Sequence, residues 1–520
     1  MRLKTATIWG LVALSAAALT ARTALAEPST HLNLGSLGAD VSQLDPDYAA
    51  NTTDRTVVAW IFNGLVRFKP GSTDPASIEP DLAESWEASD DKLVWTFHLR
   101  KGVQWQKGYG EMTADDVVFS LNKASSKETS AYASDYAAFK AVEAVDSYTV
   151  KITLEHQIPS LLGVIANYSG GFIVPKKAVE EKGESWTRDP VGSGPFEVDQ
   201  ITPGQSITFK ANENYFRGAP MIKTVDFRFL PESASRDLAF KAGEIDAGAG
   251  VQNKNWLARM KAEPGVVIDV FAPAEEAQLH LNTTKSPLDN LKVREAISLA
   301  INQDQMVQFQ GDGFTQAGQS AVPSNNLGFT ADNGMLGYDP AKAKALLAEA
   351  GFADGFTIPM INSQDMQLAN LGQLVQAQLA EIGITVDIQP VEHATYHQLI
   401  RKDASPMVIY SAARFPVADV YLTQFFYSPS TVATPTAVTN FSHCNVADEE
   451  ILAAKTEPDP DKQIALWQEA QKKIMGNVCS VPLVETRLVW ARKETLDWGY
   501  ELKGSMSLGP LLTEKTHFTE

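Results

Sequence analysis

Arg414, Phe415 and Asp419 put a guanidinium, an aromatic ring and a carboxylate within one short stretch of chain. A guanidinium is a planar fork of donors that matches a carboxylate or a phosphate. A ring supplies rigid contact area at small entropic cost, and a carboxylate can receive a cation. This set suits capture of an anionic or zwitterionic small solute. Tyr168 before Gly170-Gly171, Trp256 after Gly248-Ala249-Gly250, and Tyr421 add rings of the kind that line a mostly apolar pocket with few polar anchors. The competing expectation for Arg414 is a structural ion pair at a lobe edge, because Arg is mostly exposed or paired.

Covalent chemistry finds less support. The chain has no Gly-x-Ser-x-Gly elbow, phosphate loop, dinucleotide fingerprint or His-Glu-x-x-His. Asp246, Glu275 and Glu276 offer acids for a secreted hydrolase, in which two carboxylates must stand at a defined separation. Nothing in the sequence fixes that separation. His393 and His397, behind Glu392, would share a helix face at metal-ligand spacing. The strand and proline before them and Thr395 and Tyr396 among them favour a helix start at the surface, so no metal and no cofactor are assigned. His98, His156 and His280 fall in strand-like stretches and read as structural.

The elements that must hold these residues are legible from periodicity. Leu93 to Arg100 alternates with period two, as a half-buried strand does, and Val145 to Leu154 and Ile207 to Lys210 read similarly. Asp339-Pro340, then Ala341 to Ala350 and Gly351, gives a capping acid, a proline at the first helical position and a glycine stop. Leu368 to Ile382 predicts a helix leading into a strand over Ile384 to Ile388, the unit of an α/β lobe. Val293 to Ile301 predicts an amphipathic helix with Asp289 as its cap, and Ile464 to Ile474 another, followed by a short strand, Val481 to Val484.

The chain has 520 residues, more than one hydrophobic core usually supports, so two or more lobes are expected. Arg2 and Lys4, an apolar run from Ile8 to Leu19 and Ala24-Leu25-Ala26 have the layout of a secretory leader cut after Ala26, and the run is too short to span a membrane. No Cys at that junction offers a lipid attachment point, so the product is expected free in the periplasm. The formal charge of −19 disfavours nucleic acid and anionic lipid as partners. Cys444 and Cys479 are the only cysteines; a disulfide is expected in an oxidising compartment, with two buried free thiols as the alternative.

A series of segments then carries a resemblance. Leu44-Asp45-Pro46, Asn63-Gly64-Leu65-Val66, Pro80 to Trp86 and Thr113 to Ser120 occur in that order, followed by Val191-Gly192-Ser193-Gly194-Pro195-Phe196, Asn214 to Gly218, Gly243-Glu244-Ile245-Asp246, and Asn282 to Pro287 leading into Val293 to Ile297. The chain resembles the family 5 extracellular solute-binding proteins, which serve ATP-driven importers for peptides, nickel, haem and some sugars or opines. The resemblance implies an α/β, two-lobed fold of the type II periplasmic-binding-protein kind, with an additional small lobe, a multi-strand hinge and an interlobe cleft. It implies a first lobe from 27–45, 171–270 and 480–520, an extra lobe at 46–170 and a further lobe at 271–479. It also implies a monomer that binds a small solute, without enzymatic activity, and meets a membrane permease with ATPase subunits. Met407 to Leu422 looks like the segment in which peptide-binding relatives place an aspartate for the ligand's ammonium. Here Arg414 or Phe415 stands at that position, and Asp419 matches a second, weaker acidic position. A peptide-like, opine-like or otherwise anionic or zwitterionic solute is therefore expected, with an opine or acidic conjugate favoured; a sugar-binding protein of the same fold and the hydrolase are the alternatives.

Overall fold

A computed structural model describes residues 29–519 other than 50, 159, 167, 169 and 434–438. The leader assigned to 1–26 lies outside the described residues. Among the described residues no helix is long and apolar enough to cross a membrane.

Two long antiparallel strands, Val266–Leu281 and Ser480–Lys493, run through a nine-stranded sheet and pair from Val266 with Lys493 to His280 with Ser480. At one end Ser480–Lys493 pairs Ala247–Ala249, beyond which lie His31–Ser36, Thr224–Phe229, Ser206–Ala211 and Phe196–Thr202. At the other end the same two strands pair Thr315–Ala317 and Met407–Ala412. One continuous pair of strands thus joins two halves, which is the geometry of a hinge between rigid lobes. A separate antiparallel sheet, ordered Ala83–Ala88, Val94–Leu99, Thr149–Leu154 and Phe139–Asp146, forms the small lobe. Phe356–Ser363 and Ile384–Val391 pair in parallel, and the helix Met366–Ala380 makes the crossover between them.

Local rules explain most boundaries. Asp339 caps Pro340–Glu349 by accepting from the Lys342 N–H at 2.9 Å. Four readings need correction. The stretch Val145 to Leu154 is a hairpin: Asp146 ends one strand and its Oδ1 accepts from the Tyr148 N–H at 2.8 Å, turning the chain. Asn290, not Asp289, caps Leu291–Ala300, by accepting from the Lys292 N–H at 3.0 Å. The strand expected over Val481 to Val484 continues to Lys493, because Glu485 and Thr486 are buried polar residues with partners inside the sheet region. Among the histidines, His156 lies in an exposed bend, whereas His98 and His280 are in strands. His280 is buried among Phe425, Phe426 and Phe441, and that burial holds its pKa down at about 3.

The segments that carried the resemblance meet in buried polar networks. The Asn63 side chain donates to Asp81 Oδ2 at 3.0 Å and accepts from Ser193 Oγ at 3.1 Å, while Arg217 donates to Asp81 Oδ1 at 3.0 Å. Asp81 is fully buried, so these donors supply what water would otherwise give. Lys123 likewise donates to Asp45 at 2.8 Å and Asp47 at 2.5 Å, tying the first motif to the helix Ala114–Ser125. These motifs specify packing between segments far apart in sequence.

The hinge strands carry an unusual pair. Glu276 and Glu485 lie opposite each other in register, and both are buried. Glu485 accepts from Ser324 N at 3.0 Å, Ser324 Oγ at 2.6 Å and Gln316 Nε2 at 2.7 Å. Glu276 accepts from Gln278 Nε2 at 2.9 Å, and its Oε1 has no hydrogen-bond partner among the described residues. Burial first, and the Glu485 carboxylate second, push the Glu276 pKa well above the usual carboxylate range. A folded-state pKa above the unfolded value gives stability that is complete below the unfolded pKa and is lost as pH rises through the folded one. Glu276→Gln, which cannot ionise, is therefore expected to be more stable than the parent at pH 8, by about 1–3 kcal/mol, the range for a poorly satisfied buried polar group. The gap should close towards pH 4. Parallel thermal melts at the two pH values check this, and equal midpoints at pH 8 would show that Glu276 carries no such cost.

Candidate functional site

A cavity of about 320 Å³ opens between the small lobe and the segment that follows Met407–Ala412. One wall is built from Asp135, Ser160, Gly163 and Tyr168, and the other from Arg414, Phe415, Asp419, Thr423 and Gln424. Its size lies at the lower end of the range for small-molecule sites. The structure thus brings four of the residues singled out from sequence, Tyr168, Arg414, Phe415 and Asp419, to one space.

Arg414 emerges where the strand Met407–Ala412 ends and before the helix Ala418–Phe425 begins. Its backbone N–H donates to Tyr421 Oη at 3.0 Å, its Nε donates to Gln424 Oε1 at 2.8 Å and its Nη1 to the Ala413 carbonyl at 3.1 Å. The guanidinium also stands 5.7 Å over the Phe425 ring. Its protein acceptors are uncharged, unlike the carboxylate of the expected structural ion pair. The side chain is oriented by uncharged acceptors, with the Glu275 carboxylate near enough to feel its charge but not hydrogen-bonded to it, which leaves guanidinium donors for an anionic group.

Asp419, on the first turn of the helix, faces the same cavity. Its Oδ1 has no hydrogen bond of good geometry among the described residues, although Trp467 and Thr423 lie close by. Burial raises its pKa, and the Lys455 charge opposes that rise. With Asp135 on the facing wall, the lining offers both signs of charge. A zwitterion, with a carboxylate towards Arg414 and a cationic or hydrogen-bond-donating group towards Asp419, complements it.

Phe415 closes the space from the side. It lies stacked with Tyr168 at 6.2 Å between centroids and packs 5.8 Å from Phe68. Gly163 faces this ring so closely that a Cβ there would overlap it. Tyr168 also carries the Arg55 guanidinium 5.0 Å over its ring. Residues from the small lobe and from the half beyond the hinge thus interlock across the cavity.

Two residues expected at the site sit elsewhere. Trp256 is buried in a cluster with Phe240, Leu257 and Met260, packs against Gly250, and donates its indole N–H to Asp237 at 2.9 Å. Tyr421 lies behind the cavity, where its hydroxyl donates to the Ala412 carbonyl at 3.1 Å and accepts from the Arg414 N–H. It braces the loop and does not line the cavity. Sequence reading missed Asp135, Ser160, Gly163, Thr423 and Gln424, since no periodicity or motif marks them. Only the meeting of residues 135–168 with 414–430 does so.

The three acids considered for hydrolysis do not form a pair. Asp246 is engaged by Lys493 Nζ at 2.7 Å and by the Asn33 N–H at 2.8 Å, next to the far end of the hinge strands. Glu275 pairs with Thr486, seven positions away along that strand from Lys493, or roughly 20 Å at the rise of a strand. Glu275 and Glu276, as strand neighbours, point to opposite faces. Cys444 and Cys479 form a disulfide, with Cα atoms 5.8 Å apart.

Comparison with known proteins fits this architecture. The model for the bacterial extracellular solute-binding proteins, family 5, matches residues 77–433. A solved binding protein, MoaA of A. tumefaciens R10 in complex with mannopinic acid, is 55% identical, covering 95% of this chain and 100% of its own with a TM-score of 0.83. The periplasmic binding protein DppA of Helicobacter pylori, in complex with the peptide STSA, is 28% identical over 95% of this chain and 99% of its own, with a TM-score of 0.79. Heme-binding protein A of Haemophilus influenzae is 33% identical over 65% of this chain, an alignment that spans 66% of that relative. A hinged pair of lobes, an interlobe cavity and a family match across most of the sequence lead to one assignment: the chain belongs to the family 5 bacterial extracellular solute-binding proteins, the solute-capturing components of ABC importers.

Proposed function

We propose that this protein captures an opine-type, zwitterionic acid between its lobes and hands it, chemically unchanged, to an inner-membrane permease driven by ATPase subunits. The observation that carries the reading is Arg414, a cavity-lining guanidinium held by uncharged acceptors. The relative solved with mannopinic acid supports the solute class. Asp419 and Asp135 would receive the solute's donor groups, and Phe415 and Tyr168 would cover its apolar surface. The expected periplasmic location, the monomeric state and the lobe boundaries at 46, 171, 271 and 480 belong to the same proposal; the change of sheet neighbours along Val266–Leu281 supports the boundary at 271.

Calorimetric titration with mannopinic acid, a neutral dipeptide and a neutral hexose tests the reading. Saturable 1:1 binding of the acid, at least tenfold tighter than of the other two, is expected. Tighter binding of the dipeptide or the hexose would move the protein to another branch of the family.

Binding free energy must favour the arrangement in which the lobes meet, since a ligand shifts an equilibrium only by its differential affinity for the two states. Gly163→Ala inserts a methyl group where Phe415 packs across the cavity. Overpacking of this kind costs about 1–3 kcal/mol, so affinity should fall roughly 5- to 150-fold. Titration and a thermal melt in the absence of solute separate the effect on closure from one on folding. Unchanged affinity would mean that the Phe415 contact plays no part in closure.

A further inference from the structure

Away from the cavity, the helix His393–Arg401 starts with two imidazoles aimed at each other. The Nε2 atoms of His393 and His397 are 3.2 Å apart, with the rings nearly perpendicular at 81°. The opposite nitrogen of each ring faces the protein: His393 Nδ1 is 2.8 Å from Ser363 Oγ, and His397 Nδ1 is buried with no hydrogen-bond partner among the described residues. His397 is further fixed edge-on to Tyr410, 5.9 Å between centroids.

We propose that His393 and His397 form a two-histidine site for a first-row divalent cation such as Cu²⁺, Zn²⁺ or Ni²⁺, with water filling the remaining positions. Metal–imidazole bonds are about 2.0–2.1 Å, which puts two adjacent nitrogens roughly 2.9 Å apart at a right angle and roughly 3.4 Å apart at the tetrahedral angle. The observed separation falls between these values, and a cation would replace the hydrogen bond that now joins the two Nε2 atoms. The Ser363 hydroxyl holds His393 by its other nitrogen, as outer partners of metal-bound histidines do. Among the described residues no third His, Cys, Asp or Glu completes a cluster, so the site is open and selects for nitrogen-preferring ions over Mg²⁺ or Ca²⁺.

The site lies on the helix whose Tyr396 hydroxyl bonds the Ile409 carbonyl in the strand leading to Arg414. The test uses tag-free, chelator-treated protein titrated with CuCl₂, ZnCl₂ and MgCl₂, alongside His393→Ala, His397→Ala, the milder His393→Gln, and His156→Ala as a control. One equivalent of Cu²⁺ or Zn²⁺ is expected, with no Mg²⁺ uptake, binding at least tenfold weaker in all three pair variants, and the control unchanged. Electron paramagnetic resonance of the copper form should show coordination by two nitrogens. Retention of binding by the single variants, a one-nitrogen spectrum, or no uptake by the parent protein would overturn the proposal. None of these readouts depends on the solute.

Discussion

Arg414→Ala is expected to weaken binding of an anionic opine-type solute by about 10- to 150-fold, the equivalent of about 1.5–3 kcal/mol for hydrogen bonds to a charged group. The reasoning rests on how the side chain is held. Gln424 and the Ala413 carbonyl occupy Nε and Nη1, which leaves the guanidinium charge unmatched by any acid in hydrogen-bonding contact among the described residues. Removing the side chain therefore removes interaction with the solute and breaks no structural ion pair, so unfolding should change little. Arg414→Lys should fall between parent and alanine, because an ammonium keeps the charge but loses the planar fork. Calorimetry of the three proteins decides the matter. An alanine variant within about twofold of the parent, well below the loss for a charge-assisted contact, would show that Arg414 does not meet the solute.

Loss of the disulfide should have the largest effect on stability. Cys444 and Cys479 are 35 residues apart in sequence and enclose the helices Asp448–Thr456 and Pro460–Gly476. Closing a loop of that length removes entropy from the unfolded chain worth about 4 kcal/mol, and removal of a native disulfide typically costs 2–5 kcal/mol. Both sulfurs are buried, and Cys479 stands directly before the hinge strand Ser480–Lys493. The double variant Cys444→Ser/Cys479→Ser is therefore expected to lose about 2–4 kcal/mol in denaturant titration. Its solute affinity at low temperature should stay close to that of the parent, because neither cysteine lines the cavity. A loss below about 1 kcal/mol would mean that the packed helices alone hold this region.

How far the sequence carried the site is instructive residue by residue. Arg414, Phe415 and Asp419 were legible through the resemblance of Met407 to Leu422 to the segment in which peptide-binding relatives hold the ligand's ammonium group. Tyr168 was legible through the glycines beside it. Trp256 and Tyr421 carried the same aromatic signal, yet one fills a core and the other braces a loop. A ring's type does not record which side of the backbone the cavity lies on. Asp135 and Gly163 were silent because their role exists only once the small lobe meets a segment some 250 residues away in the chain. The fold was more accessible, since periodicity and caps such as Asp339 are local. Where it failed, at Glu485 and Thr486, buried polar residues broke an apolar pattern that the strand nevertheless continued. Glu276 was read only as a candidate hydrolase acid and Glu485 was not singled out; their pairing in the hinge needed the register of two strands that lie far apart in sequence.

The central claim is that two lobes enclose a guest that leaves intact, and native mass spectrometry addresses it directly. The protein is loaded with mannopinic acid, freed of excess solute, weighed as the complex and then denatured to release what it holds. One equivalent per chain, recovered at its original mass, is the expected result. Recovery of fragments, or a folded protein that retains no solute at saturating load, would contradict the account.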